Sequence, residues 1–298
     1  MKMLQQPQVF PKLNEIILAR EEIKKYLHKM PRHNIEIVFW GSDPWSVYVL
    51  KALEDNFDVK AVITAPNSPV ANYFKGLILT PAKLDDDFLT SHFSLLTSDL
   101  FVVASYGKII PKELLNIPKY GALNIHPSLL PKYRGPSPVQ ATILNGDEAS
   151  GVTIFKMDAS VDHGPIVIAR GISLTGKEDF LTLINKLFQL GAVLLVKIIP
   201  DFITRKINPI RQNHAKASFC QRLTKQSGYF DILSLPSSEK LDRMIRAYYP
   251  WPGVWTKWQA KIVKFLPGGL IQMEGKKAIP YKDFLNGYPD FPRLALAI

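Results

Sequence analysis

Two apolar, β-rich runs flank a short amphipathic stretch, and this spacing leaves few folds open. Ile35 to Trp40 is apolar and ends at Gly41; Ser42-Asp43-Pro44 then reads as a helix start, with helix to about Leu53. Val59 to Thr64 reads as the next strand. A strand–glycine–helix–strand unit joins parallel neighbours, and parallel strands need helices on their faces. Leu100 to Ala104 is a continuous apolar run, as a strand buried on both faces requires. The pattern predicts an α/β domain with a Rossmann-like, mostly parallel sheet. One glycine follows the first strand where a dinucleotide fingerprint needs three, so NAD binding finds little support.

Further elements follow the same logic. Val70 to Lys75 reads as a short helix, Leu77 to Leu79 as a strand, and Gly121 to His126 as another. Pro138 to Leu144 reads as a helix stopped by Asn145-Gly146. Val152 to Met157 and Ile166 to Leu174 read as strands joined by the loop Asp158 to Pro165, before a long amphipathic helix from about Lys177 to Ile203. These place one α/β domain at 34–203. Residues 204–215 are polar and basic and read as a linker. Residues 216–298 read as a small β-rich domain: a helix over Ser237 to Tyr248, then short strands around Val254, Lys261 and Leu270. Residues 1–33 carry Ile16, Ile17, Ile23 and Leu27 on one helical stripe and read as an N-terminal helical extension.

Charge is unevenly spread. The chain has 37 Lys+Arg against 26 Asp+Glu over 298 residues. Residues 201–298 hold 16 basic and 7 acidic side chains, a surplus of +9, which leaves +2 for residues 1–200. Such an asymmetry fits one part doing neutral chemistry and another meeting a polyanion; a solvated basic face is the alternative. Cys220 stands alone, which excludes a disulfide framework and a thiolate metal site and fits a reducing compartment. The best apolar run, Gly191 to Pro200, is short and interrupted by Lys197. The reading is a soluble cytoplasmic protein with no membrane partner.

Chemistry concentrates in GALNIHPSLLPKYRGPSP, residues 121–138. Alternation along a strand points Ala122, Asn124 and His126 one way and Leu123 and Ile125 the other. An amide and an imidazole thus sit side by side at a strand's C-terminal end, where open α/β sheets bind ligands. Such a pair suits attack on a carbonyl: the amide can donate to a developing oxyanion, and the imidazole can donate or move a proton. On residue chemistry alone a second reading stays open, in which the pair satisfies buried backbone groups. The loop MDASVDHGP, between two strands, offers Asp158 and Asp162 to orient the imidazole or relay a proton, though Asp in such a turn is commonly structural. The chain has no phosphate loop, no G-x-S-x-G elbow and no recognisable metal pattern around His163.

Asn124-Ile125-His126, Ser128-Leu129-Leu130-Pro131, Tyr133-Arg134-Gly135 and Asp158…Asp162…Gly164-Pro165 together resemble the signature of the folate-dependent formyltransferases. The resemblance covers about residues 34–203, including FVVASYGKIIP from Phe101. It implies Asn124, His126 and Asp162 as the catalytic residues. It implies 10-formyltetrahydrofolate as formyl donor, with no metal, held near Tyr106, Lys108, Ile109 and Ile110 and along Ser128, Leu129, Leu130 and Pro131. Arg222 to Lys225 and Asp242 to Trp255 resemble the second domain of the family's methionyl-tRNA formyltransferases, a small OB-like barrel. That branch implies methionyl initiator tRNA as acceptor, a monomer, and tRNA contacts at Arg222, Lys225, Arg243, Arg246, Lys257, Lys261 and Lys264.

Three departures accompany the resemblance. The long basic loop after the second strand is missing: Thr64-Ala65-Pro66-Asn67 runs straight into Ser68-Pro69-Val70. Only 46 residues follow Pro252, so the barrel is shortened. His163 stands where the family more often has Thr. Two other readings therefore stay open: a formyltransferase acting on a nucleotide-linked amino sugar, and a catalytically silent RNA-binding relative.

Overall fold

A computed structural model describes residues 34–293. The proposed N-terminal extension, 1–33, lies outside the described residues. By internal contacts the chain divides into two compact units. The first takes residues up to 135 together with 149–173 and 184–219; the second takes 136–148, 174–183 and 220 onward.

The first unit is built on seven strands in the order β3-β2-β1-β4-β5-β6-β7. They are β1 (Glu36–Gly41), β2 (Asp58–Ile63), β3 (Ile78–Leu79), β4 (Leu100–Ala104), β5 (Ala122–His126), β6 (Ala149–Lys156) and β7 (Ile166–Ser173). The first five are parallel, while β6 runs antiparallel to its neighbours β5 and β7. Helix α1 (Ser46–Asn56) crosses from β1 to β2. Helix α2 (Pro69–Tyr73) follows β2 after one tight turn, with the Ser68 side chain accepting from Ala71 N at its start.

Strand alternation decides what each face packs. Val38, Trp40, Ala61, Ile63, Phe101, Val103 and Ala122 share one buried cluster with Phe88, Leu96, Tyr106, Ile110, Leu114 and Leu115. Phe88 and Leu96 come from α3 (Asp86–Leu96), and Leu114 and Leu115 from α4 (Lys112–Leu115). Leu123 and Ile125 take the opposite direction, as the alternation predicts. Against that side runs α6 (Phe180–Ile203), where Gly191 lies so close that a Cβ would stand 2.7 Å from Ile125 Cγ2. Helix α6 matches the predicted long helix; its length and composition would suffice to cross a membrane, although the expected apolar run was short, and more than half of its apolar stretch is buried inside the protein. That burial accounts for its composition.

The second unit contains α5 (Pro138–Asn145), which stops at Gly146 as predicted, and α7 (Ser238–Tyr248). Its sheet is antiparallel, in the order β11-β10-β9-β8. The strands are β8 (Val254–Trp258), β9 (Lys261–Leu266), β10 (Leu270–Met273) and β11 (Ile279–Pro280), followed by α8 (Tyr281–Gly287). Among the described residues the β-rich domain takes the form of this four-stranded sheet. Its inward side chains, Val254, Thr256, Val263, Phe265, Ile271 and Met273, alternate along the strands and are buried. Phe230, Phe284 and Phe291 close over the sheet's core, with Phe230 5.3 Å from the Phe265 ring.

Candidate active site

The site forms where β5 ends beside β6. His126, the last residue of β5, pairs in register with Thr153. Pro127 ends the strand, and the loop after it is fastened from below. Thr153 Oγ1 donates to Ser128 O (2.7 Å) and accepts from Leu130 N (3.1 Å). Ser128 Oγ donates to Lys132 O at 2.6 Å and closes the loop on itself. Strand β6 also carries the hydroxyl of Ser150, so sequence alone does not single out Thr153.

The fastened loop turns at Tyr133, a non-glycine residue at φ +59°. Its carbonyl faces the His126 ring, with His126 Nε2 at 2.9 Å. A carbonyl only accepts, so Nε2 carries the proton. Neutral His126 then presents a lone pair at Nδ1, and Asp162 Oδ2 lies 3.6 Å from it. This is too long for a hydrogen bond, and both atoms are acceptors in that state. The pair is a site for a proton or an N–H group, awaiting one from a bound substrate. His126 is 5% exposed, so a proton received there is held in a dry, preformed setting.

Asp162 reaches this position through a strained turn. Its φ is +48°, in the left-handed region that non-glycine residues seldom occupy. Gly135 N donates to Asp162 Oδ2 at 2.7 Å, which ties the two loops together. Gly164, two residues on, packs against Lys156 O so tightly that a Cβ would lie 1.8 Å from it. Asn124 projects from the same strand face as His126 and is partly exposed. Among the described residues its side chain makes no hydrogen bond, so the amide can receive a substrate oxygen.

The residues expected near the folate follow the ends of β4 and β5. Tyr106 and Ile110 are buried in the core cluster, whereas Ile109 is 79% exposed. Burial pushes the Tyr106 phenol up to about 12, so it stays neutral and moves no proton near pH 7. Lys108 Nζ donates to Pro81 O (2.7 Å) and Ala82 O (3.1 Å). Leu129 packs over Gly151 on β6. The segment therefore offers main chain and apolar surface, which suits a flat heterocycle better than a charged group would.

Beside it lies an acid that the sequence reading takes only as part of a helix start. Asp43, just after β1, accepts a hydrogen bond from Ser105 Oγ just after β4. Sheet order reverses between these two strands, the usual position of a ligand crevice. Burial raises the Asp43 carboxyl above the ordinary carboxylate range, and the Ser105 bond opposes the shift.

The basic residues of the second unit fall into two groups. Arg243 and Arg246 are occupied on α7. Arg243 pairs with Glu239 and lies over Gly146 at the end of α5. Arg246 donates to Asp242 Oδ2 (2.9 Å) and Glu178 O (2.7 Å). Lys257, Lys261 and Lys264 are exposed on β8 and β9, and Trp255 stands opposite Lys264 in register. Lys225 lies over the Trp255 ring at 5.8 Å, and Arg222 is exposed nearby in sequence.

Comparison with known proteins identifies the architecture. The formyl transferase family model matches residues 19–199, and the formyl transferase C-terminal domain model matches residues 222–268. The methionyl-tRNA formyltransferase of Roseiflexus sp. (strain RS-1) is 38% identical, with 80% of this chain and 77% of that protein covered. The methionyl-tRNA formyltransferase of Caldicellulosiruptor saccharolyticus is 31% identical over 85% of this chain and 97% of that one. Among solved structures, a sugar N-formyltransferase from Shewanella sp FDAARGOS_354 superposes with a TM-score of 0.64 at 18% identity, covering 78% of this chain and 97% of that one. An N-formyltransferase from Helicobacter canadensis, solved with folinic acid and dTDP-3-aminofucose, superposes at 0.59 with 19% identity over 80% and 94% of the two chains. At these identities the superpositions speak for the fold, and the sequence matches speak for the branch: the chain belongs to the formyl transferase family, among its methionyl-tRNA formyltransferases.

Proposed function

We propose that this chain transfers the formyl group of 10-formyltetrahydrofolate to the α-amine of methionyl initiator tRNA, in support of translation initiation. The observation that carries the reading is the His126 ring, held by Tyr133 O at one nitrogen and opposed by Asp162 at the other. The bound folate supplies a formyl group already activated on nitrogen; the chain supplies geometry and proton handling. Asn124 donates to the formyl oxygen as charge grows on it. His126 Nδ1 takes the proton that the attacking amine loses, and the resulting imidazolium is stabilised by Asp162. The same proton then goes to the folate nitrogen as its bond to the formyl carbon breaks. The products are N-formylmethionyl-tRNA and tetrahydrofolate, with no net proton change. No metal enters this scheme.

The tRNA body is assigned to Arg222, Lys225, Lys257, Lys261 and Lys264. Arg243 and Arg246 support that role less, because their guanidinium groups are engaged with Glu239, Asp242 and Glu178. We retain the boundaries 34–203, 204–215 and 216–298 as functional segments, and a monomer as the working unit. The half-buried Trp255 ring with the exposed Lys225 beside it supports RNA contact, since an aromatic face with an adjacent cation stacks bases and attracts phosphate.

One observation favours an amino-sugar acceptor instead. Helix α2 begins at Pro69, directly after the turn at Asn67, which leaves no basic loop between β2 and α2. The deciding experiment offers purified protein and 10-formyltetrahydrofolate three acceptors side by side: initiator Met-tRNA, elongator Met-tRNA and a nucleotide-linked amino sugar. Formylation of initiator Met-tRNA alone is the expected result. Turnover of the sugar alone overturns the reading. Salt-sensitive tRNA binding without any turnover selects a silent relative.

A further inference from the structure

Gln212 lies in the segment that composition marks as a linker, yet it is 6% exposed. Its amide is fully engaged. Nε2 donates to Asp162 O at 3.0 Å and to Gly164 O at 2.7 Å. Oε1 accepts from Arg134 Nε at 3.2 Å and from Arg134 Nη2 at 2.6 Å. The orientation of the amide is forced. Turned over, it would set its NH2 group against a guanidinium and its oxygen against two carbonyls.

These four bonds join two loops, one through its main chain and the other through the Arg134 side chain. One loop carries Asp162, and Gln212 grips it at residues 162 and 164. The other carries Arg134, itself 4% exposed, between Tyr133, whose carbonyl faces His126, and Gly135, whose N–H holds the Asp162 carboxylate. Arg134 Nη2 also donates to His214 Nδ1 at 2.9 Å, and the His214 ring stacks on His163 at 4.1 Å. Two ties that bear on the 3.6 Å gap between His126 Nδ1 and Asp162 Oδ2, Tyr133 O to His126 and Gly135 N to Asp162, therefore run through loops that Gln212 and Arg134 hold.

We infer that Gln212 is a positioning residue for the formyl transfer, acting through Asp162 and Arg134 to fix the separation of carboxylate and imidazole. It touches neither substrate, so its loss lowers kcat and leaves KM for both substrates nearly unchanged. The inference rests on the proposed formyl-transfer reading for its kinetic part; its structural part stands without it. Gln212→Met keeps the shape and removes all four bonds. Gln212→Glu keeps an acceptor for Arg134 and removes the two donors that grip the Asp162 loop.

The test measures both variants in the wild-type and Asp162→Asn backgrounds. In the wild type, kcat is expected to fall about 100-fold, the scale of a displacement of about 1 Å at reacting groups, with KM changing less than about threefold. In Asp162→Asn the same changes are expected to have little further effect, because the group they position is gone. A role in folding alone would cost the same in both backgrounds, and that result overturns the inference. A second readout does not depend on turnover. Hydrogen exchange at the Gly135 amide, held by the Asp162 carboxylate, is expected to quicken about tenfold or more in Gln212→Met while the β4 amides stay protected. Unchanged Gly135 protection overturns the inference even where no acceptor is formylated. Inactive wild-type protein with the quickened exchange overturns the formyl-transfer reading alone.

Discussion

Around His126, polar side chains are tied to main-chain atoms of two loops, and nearly all of them are buried. On the C-terminal sheet, Lys257, Lys261 and Lys264 stand exposed, and among the described residues they make no hydrogen bond or ion pair. The proposed function assigns the two regions different partners, and that accounts for the contrast. A reacting carbonyl and amine tolerate errors of a fraction of an ångström, so their partners are fixed before substrate arrives. A polyanion offers many equivalent phosphates, so mobile cations in water suffice, and their contribution depends on salt. Arg243 and Arg246 show that a basic residue in the same domain can belong to the first kind, since both are spent on intrachain partners.

The comparison breaks most plainly at Asp162. Asp162→Asn keeps the size of the side chain and removes the charge opposite His126, so kcat is expected to fall about 1,000-fold in single-turnover formylation. A fall below tenfold would mean that the carboxylate only shapes the loop. Gly164→Ala tests the packing beneath it. A Cβ 1.8 Å from Lys156 O forces the backbone to move, and a loss of about 3 kcal/mol in chemical denaturation is expected.

Charge removal on the sheet should act on binding and spare chemistry. Changing Lys257, Lys261 and Lys264 together to Gln is expected to weaken tRNA binding about tenfold or more and to flatten the salt dependence by roughly two to three phosphate contacts. The kcat at saturating tRNA should hold. Arg246→Ala should do the reverse. Its bonds to Asp242 and Glu178 are partly exposed, so a stability loss of about 1 kcal/mol is expected, with the salt slope unchanged. An unaltered slope in the triple variant would make the sheet's charge a solvated face.

The smallest effect concerns His214, and it sharpens the boundary between the two kinds of residue, because this exposed side chain is nevertheless tied. Desolvation lowers its pKa below the ordinary 6.5, and the positive charges of His163 and Arg134 add to the shift. The unfolded chain then binds this proton at higher pH than the folded one. The stability it contributes is present above the unfolded value, falls as pH drops below it, and levels off beneath the lowered value. His163→Thr removes the stacked ring and should reduce that acid sensitivity in thermal unfolding followed from about pH 7.5 to about pH 5.

Much of this was legible in residue order. Near-continuous apolar runs marked β1 and β4, because a strand covered on both faces leaves few polar positions. Alternation along β5 put Asn124 and His126 on one face, where the structure has them. Helix α3 was missed, although Asp85, whose side chain caps Phe88 N, and the acids Asp86 and Asp87 after it carried a start signal. Gln212 left no signal at all. It sits among charged and polar residues, and nothing local separates a buried amide from a solvated one.

The sequence by itself determined the strand order of burial, the strand-end amide and imidazole, and the surplus of positive charge beyond residue 200. Each depends on neighbours within a few positions, or on composition. Only the tertiary structure decided that His126 carries its proton on Nε2, that Asp162 stands opposite Nδ1, that Gln212 holds both loops, and that two of the seven expected tRNA cations are already occupied. The contacts of Asp162 and Gln212 join atoms 27 to 78 positions apart, and such meetings are set by how elements pack, which no local pattern encodes.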